Sequence, residues 1–395
     1  MARNTSGSFT RTIHRIAVIS VTISLAALII SFFVLYGFKD AIRQKVYNLS
    51  GHLTVDKYAI SNSFEENSIL VTDSLMNELR RYPKVTHAQR YIIKAALIKS
   101  EEGVQGILLK GVGIDFDRNR FNSQMVKGTF PAFGAEHISN EVVISARLAT
   151  LLRLDVDDVL MLFFVQQPPR FRRIEVAGIY STGMEEFDDK FIFGDIGLLQ
   201  RINDWPSNQV GGIDVFISDE DDMDEMESSL FNTLPVDLNV TSAERRYPQI
   251  FEWLLLLNRN VLILLVIIVL VAALGMISMV LILIMERTRM IGLLKALGAS
   301  NQLLRQIFIY TGLRLVFRGL LFGNSIALIF CWLQYKFRLI PLDVSNYYMH
   351  FVPISFHWPT LIVLNVLMIV LIGLTLFIPV RIISGVQPVQ AIRFD

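Results

Sequence analysis

The sequence contains a single cysteine, Cys331, set in an apolar stretch, so an intrachain disulfide is excluded and the residue reads as packing. It has no Gly-Lys-Ser or Gly-Lys-Thr run. A phosphate-cradling loop needs glycines that free backbone amides ahead of that lysine, so the chain has no ATP-hydrolysing loop of this kind. Six histidines and one cysteine show no paired zinc spacing, and no Gly-x-Ser-x-Gly elbow occurs. Acidic residues are scarce at both ends: of 36 Asp and Glu, only Glu286, Asp343 and Asp395 lie outside Lys39 to Trp253. The longest apolar runs therefore carry no Asp, Glu or His for a proton relay, which removes support for ion-coupled transport. No catalytic residues, metal site or nucleic-acid partner are expected.

The chain is 395 residues long and 52% hydrophobic, too apolar to be wholly soluble. A membrane helix needs about 20 apolar residues. Ile16 to Phe38, Asn260 to Met285 and Pro359 to Val380 meet this without a charge. Gly319 to Tyr335 is shorter and needs the preceding turns, with Arg314 and Arg318, to reach an interface. The first run follows Arg3, Arg11 and Arg15 like a signal peptide, but it exceeds the usual apolar core and no small-residue cleavage site precedes Lys39, so it reads as a retained anchor.

Arg and Lys near span ends are retained on the cytoplasmic side. The N-terminal segment, the stretch after span two and the C-terminal tail hold Arg3, Arg11, Arg15, Arg287, Arg289, Lys295, Arg305, Arg314, Arg318, Arg381 and Arg393 against two acids. Both termini are then cytoplasmic. The expected organisation is a cytoplasmic segment 1–15, span one 16–38, an extracytoplasmic domain 39–253 and span two 254–285. A cytoplasmic segment 286–312, span three 313–335, a short outer loop 336–357, span four 358–380 and a cytoplasmic tail 381–395 follow.

Across 39–253 strand-like and helix-like runs alternate, which predicts an α+β domain inserted between the first two helices of a four-span α-helical membrane protein. Strands are expected at His52–Val55, Arg90–Ile98, Gly106–Val112, Val159–Val165, Arg173–Ile179 and Gly212–Ile217, and helices at Asp73–Arg81, Glu141–Leu152 and Asp222–Leu234. An outer lobe, Asp115 to Asn208, is expected to be inserted into a membrane-proximal one. The acidic run Asp219 to Asp222, with Asp224, fits a solvated helix start better than a calcium site. Glu185, Glu186, Asp188 and Asp189 form a second acidic cluster with no nucleophile or histidine beside it.

Glu286 to Ser300 reads ERTRMIGLLKALGAS: a charged start, apolar residues at Met290, Ile291, Leu294 and Leu297, and a break at Gly298. This predicts a short amphipathic helix. It fits an interfacial helix whose Arg287, Arg289 and Lys295 meet lipid phosphates, and equally a coupling helix seated in a groove of a separate ATPase.

The stretch ERTRMIGLLKALGASNQLLRQIFIYTGL resembles the segment after the second span in permeases of the MacB and FtsX superfamily, and PVQAIRFD, Pro388 to Asp395, is similar to that family's closing signature. Three further stretches resemble the lipoprotein-releasing branch: VLYGFKDAIRQKVYNLSGHLTVDKY at the exit of span one, VAGIYSTGMEEFDDKFIFGDIGLLQ, and FRLIPLDVSNYYMHFVPISFHW ahead of span four. The resemblance implies a bacterial inner-membrane permease that extracts lipoproteins from the outer leaflet, driven by a cytoplasmic ATP-binding-cassette ATPase dimer that itself holds ATP and Mg, with no cofactor on this chain. It implies a second permease copy or paralogue, membrane lipids, a lipoprotein substrate and a periplasmic lipoprotein carrier as partners. It assigns ATPase coupling to Glu286, Arg287, Arg289, Met290, Ile291, Leu294, Lys295, Leu297 and Gly298, and offers Phe32, Phe33, Met276 and Met279 as lining of an acyl-chain cavity, ordinary span packing being the better reading of any one of them. One departure stands out. In two-permease systems one subunit hooks the carrier with a hairpin; here that connection, Gln166 to Arg172, is very short, and Gln167, Pro168, Pro169 and Arg170 are what it offers as carrier contacts. Two alternatives stay open: a permease of the same architecture that exports another substrate or activates a cell-wall hydrolase, and a membrane-anchored scaffold with no ATPase.

Overall fold

The computed structural model describes residues 5–58, 67–100, 103–134, 138–343 and 347–377. The PVQAIRFD signature, the tail 381–395, the end of the expected fourth span and residues 1–4 lie outside the described residues. In chain order the elements are α1 (Thr5–Ser50), β1 (Leu53–Lys57), β2 (Ile69–Leu70), α2 (Asp73–Arg81), β3 (Val85–Ser100), β4 (Gly103–Val112), α3 (Arg118–Asn122), β5 (Met125–Gly128), β6 (Glu141–Ser145), α4 (Ala146–Leu152), β7 (Val159–Phe164) and β8 (Arg170–Tyr180). They continue with α5 (Glu185–Asp188), β9 (Phe191–Asp195), α6 (Ile196–Asn203), β10 (Gln209–Val210), β11 (Gly212–Ile217), α7 (Met223–Thr233), β12 (Leu238–Ser242), α8 (Ala243–Arg246), α9 (Pro248–Glu286), α10 (Thr288–Ala296), α11 (Asn301–Phe337) and α12 (Trp358–Thr375). The chain divides into a helical unit, 1–41 with 252–341 and 351–395, and an α+β unit, 42–251 with 342–350.

In the helical unit α1, α9, α11 and α12 are long and apolar enough to cross a membrane. The third of these is not short: α11 runs for 37 residues and carries Arg305, Arg314 and Arg318 in its first half. Small residues bring α11 against α1. A Cβ on Gly319 would lie 2.7 Å from Val21, and one on Gly323 3.0 Å from the Thr22 carbonyl, while the Thr22 hydroxyl donates to the Gly319 carbonyl at 3.2 Å. The small-x-x-x-small pattern thus serves a contact within the chain. Between α11 and α12, Asn324 and Asn365 exchange amide hydrogen bonds of 2.7 and 2.9 Å, and each also donates to the carbonyl one turn earlier in its own helix.

In the α+β unit ten strands form one sheet. Pairing runs β3–β4–β9–β6–β8–β7 and returns to β3, so six strands close a ring. Ile98, Leu160, Leu162, Ile174 and Val176 are buried, while their neighbours Leu97, Met161 and Phe171 are exposed, the alternation of a small barrel filled by its own side chains. The 16-residue β3 extends past the ring to pair with β11, and β1 and β12 follow in antiparallel order. The expected inner and outer lobes therefore share one sheet, with β4 to β9 and β3 to β7 as the seams. A helix expected at Glu141–Leu152 is half strand: Val142, Val143 and Ile144 sit between β8 and β9, and only then does Ser145 cap α4, its hydroxyl accepting from Leu148 N at 3.0 Å. A β-branched run buried on both faces packs better as a central strand than as a helix turn.

The sheet also receives the end of α1. Lys110 on β4, buried, donates to the Leu49 carbonyl at 2.5 Å and to Asp214 on β11 at 2.6 Å, and Gln89 on β3 donates to the same carboxylate at 3.3 Å. A carbonyl in the last turn of a helix has no partner within the helix, so a cation there is favoured twice, by hydrogen bonding and by the helix dipole.

Candidate functional site

The segment after α9 is built as a separate, closed helix. At Arg287 the chain leaves the α9 axis, and Thr288 satisfies the end of α9 by donating to the carbonyls of Ile284 (3.1 Å) and Met285 (2.8 Å). At the other end Gly298, with φ of +93°, donates to Lys295 O at 3.0 Å and Ala299 N donates to Leu294 O at 2.9 Å. This paired 5→2 and 6→1 closure needs a left-handed residue, the conformation glycine adopts without a steric penalty. Ser300 then caps α11 by accepting from Leu303 N at 3.2 Å.

The four apolar residues assigned to coupling do not share a face. Ile291 is fully buried in the core of the helical unit, Gly292 is buried beside it, and Leu294 packs partly against the same core. Met290 and Leu297 point the other way, 38% and 77% exposed, and Leu293, which the pattern reading passed over, is 58% exposed between them. Spacings of three and four residues put Met290, Leu293 and Leu297 on one stripe. Arg287 and Arg289 are exposed and Glu286 and Lys295 partly buried, so charge flanks the stripe. The signal for Leu293 was in the sequence, as the residue three after Met290 and four before Leu297.

Phe33, Met276 and Met279, assigned to an acyl-chain cavity, are buried in the helical core, and Phe32 packs against it. Phe33 meets Phe356 edge-on at 5.5 Å. These side chains pack in the bundle of this chain. The exposed face of α9 is made by other residues, among them Leu262, Ile263, Ile267, Leu270 and Leu274.

The connection from β7 to β8 holds Gln167, Pro168, Pro169 and Arg170, with a cis bond between Gln167 and Pro168. Arg170 is turned onto its own domain: it donates to the carbonyls of Arg201 (2.8 Å) and Ile202 (2.7 Å) and forks onto Asp204 at 2.6 and 3.1 Å. That hydrogen bonding holds the exposed Asp204 carboxyl below the usual carboxylate range. Exposed apolar side chains nearby, Val165 and Phe171, are what the hairpin displays.

The acidic cluster on α5 is structural. Asp188 is buried and accepts from Thr182 N (3.1 Å), Thr182 Oγ1 (2.7 Å) and Gly183 N (3.0 Å), while burial pushes its carboxyl above the usual range. Arg147 bridges Glu185 and Asp189.

Two family models match the chain: the MacB-like periplasmic core domain over residues 16–231 and the FtsX-like permease C-terminal over residues 262–388. The chain is 21% identical to the lipoprotein-releasing system transmembrane protein LolC of Xylella fastidiosa, covering 96% of this chain and 93% of that one. It is 20% identical to the corresponding protein LolE of Haemophilus influenzae, over 96% and 94%. Among solved structures, it is similar to the extracellular domain of the noncanonic ABC-type transporter YknZ from Gram-positive bacteria (14% identity, 48% of this chain and 99% of that one, TM-score 0.34). It is also similar to the periplasmic region of MacB from Actinobacillus actinomycetemcomitans (14% identity, 50% and 91%, TM-score 0.33). With a MacB-like core domain over more than half its length and an FtsX-like C-terminal part, the chain belongs to the family of MacB/FtsX-type ABC transporter permeases, multi-pass membrane proteins.

Proposed function

We propose that this chain is the permease subunit of an ATP-driven complex that extracts lipoproteins from the outer leaflet of a bacterial inner membrane for delivery toward the outer membrane. Both termini and α10 lie in the cytoplasm, and the α+β unit lies on the other side. The observation that carries the reading is the stripe of Met290, Leu293 and Leu297 on a short helix closed at its C-terminal end by Gly298. Three exposed apolar side chains on a rigid one-sided helix are suited to a groove in a separate protein, and a cytoplasmic ATPase dimer holding ATP and Mg fits that role. Release of lipoproteins in particular is supported by the likeness to lipoprotein-releasing system proteins over nearly their whole length. Two permease copies, or this chain and a paralogue, complete the complex and enclose the acyl chains, each buried methylene contributing about 0.8 kcal/mol.

The test is a mild-detergent pull-down of the tagged chain, followed by release of a radiolabelled lipoprotein from proteoliposomes holding whatever copurifies. An ATPase in the pull-down and ATP-dependent release are expected, and Leu293→Glu with Leu297→Glu is expected to lose the ATPase. An ATPase with no release moves the assignment to export of another substrate or activation of a cell-wall hydrolase. A pull-down with no ATPase overturns the reading.

A further inference from the structure

Three segments far apart in the sequence meet at the side chain of Lys45. It lies in the last turns of α1, in the part of that helix that clusters with the α+β unit. Its ammonium donates to the carbonyls of Thr182 and Tyr348, and the Asp188 carboxylate faces it electrostatically. Thr182 sits in the turn that Asp188 holds closed. Tyr348 sits in a short loop drawn together at its base by the Pro341–Phe351 bridge and by Leu342 N donating to His350 O at 2.9 Å. Tyr348 has φ of +61°, a costly conformation for a bulky residue, and the next residue, Met349, is buried.

Two further observations make this loop more than a connection. Residues 342–350 cluster with the α+β unit although the chain on both sides of them belongs to the helical unit. The return limb of the loop also follows α1: a Cβ on Gly37 would lie 2.5 Å from the Pro353 carbonyl oxygen, and Ser355 N donates to Phe33 O at 3.1 Å. Within the helical unit this limb follows α1 from Gly37 back to Phe33, about 6 Å of its length.

We propose that Lys45 is a positioning residue for transport, a latch that ties the last turns of α1 to the Thr182 turn and to the backbone at Tyr348 together. This rests on the reading of the chain as an ATP-driven permease. Of the three donors of the ammonium two go to these carbonyls, and the Asp188 carboxylate acts on it electrostatically. Charge-assisted bonds away from solvent are about twice as strong as neutral ones, so the loop stays with the helix when the helix moves. With a side chain that has no donors, the last turns of α1 would lose their hold on both carbonyls and keep the Arg43 pairs with Glu220 and Glu244 and the Leu49 carbonyl as ties to the domain.

The experiment uses the full complex in nanodiscs, with spin labels at the exposed positions Tyr347 and Glu186 and with Lys45 as wild type, Met, Gln or Arg. For Lys45→Met the expected result is ATP hydrolysis within about twofold of wild type, transport per ATP reduced about tenfold, and a label distance that is broad where the wild-type distance is narrow with and without nucleotide; Lys45→Arg restores all three. Lys45→Gln, which keeps one amide donor, is expected to fall between and serves if the Met variant does not assemble. Unchanged transport per ATP and an unchanged distance distribution in the Met and Gln variants overturn the latch, as does a loss that arginine fails to restore. If the wild-type complex hydrolyses ATP but releases no lipoprotein, the substrate assignment fails while the distance measurement still tests the latch.

Discussion

A methyl group added at Gly298 would meet no atom within 4 Å, whereas one added at Gly37 would lie 2.5 Å from the Pro353 carbonyl oxygen. The same Gly→Ala substitution therefore acts through different physics. At Gly298 the cost is the left-handed backbone at +93°, about 1–2 kcal/mol, confined to the end of α10. At Gly37 the backbone is helical and the cost is steric, about 1–3 kcal/mol, spread over α1 and the loop it meets. In detergent, Gly37→Ala is expected to lower the thermal midpoint of the whole chain. Gly298→Ala is expected to leave that midpoint near wild type and speed amide exchange in residues 294–300. Equal effects in both assays would contradict the distinction. His52 offers a second prediction at this scale. It stacks on Tyr47 at 4.2 Å, and burial, aided by Arg120, pushes its imidazole down from 6.5 to about 4. The folded chain holds a neutral His52 where the unfolded chain binds a proton, so stability is full above pH 6.5 and falls as pH drops from 6.5 toward 4, by up to about 3 kcal/mol. Denaturant titrations at pH 7 and pH 4.5 are expected to differ by less in His52→Phe than in wild type.

Among elements, two polar pairs hold the folded arrangement by different rules. In the helical unit Asn324 and Asn365 satisfy each other and their own helices, so replacing one alone with Leu leaves an amide without its cross-helix partner in an apolar setting. A loss of about 1 kcal/mol is expected for either single change, and the double Leu variant is expected to recover most of it, as read from unfolding in mixed micelles. Lys110 and Asp214 are buried more deeply, and each is the other's charge balance. Lys110→Met alone strands a carboxylate and frees the Leu49 carbonyl, with an expected cost of about 3–5 kcal/mol, whereas Lys110→Met with Asp214→Leu is expected to cost less. A double variant worse than the single would show that Lys110 acts mainly through the end of α1. Neither pair was legible in the sequence, because partners 41 and 104 residues apart leave no local pattern. What the pattern could give was local: the apolar spans, the alternation of β7 and β8, the Gly298 closure. It misread Glu141–Ser145, where a run of buried strand residues and the cap at Ser145 merge into one apolar stretch.

For the whole molecule, the four long helices and the α+β insert follow from hydropathy and periodicity, and family motifs supply the class of machine. The division of labour within it does not follow, since burial is decided by neighbours contributed from elsewhere in the chain. Phe33 and Met276 have the composition of a lipid-binding surface and are core. Ring closure is the largest feature of this kind. The segment 115–208 looks like an insertion with its own elements, yet its β7 and β9 complete the ring begun by β3 and β4. Each half alone exposes unpaired strand edges, and an open edge with an apolar face is a site of aggregation rather than a stable domain. A chain in which 115–208 is replaced by a short flexible linker is therefore expected to lose protection throughout 85–112, and the excised segment is expected to be unfolded or aggregated by circular dichroism and limited proteolysis. If the shortened chain instead keeps β3 and β4 as resistant to protease as in the full protein, the ring is dispensable and the insert is an independent lobe.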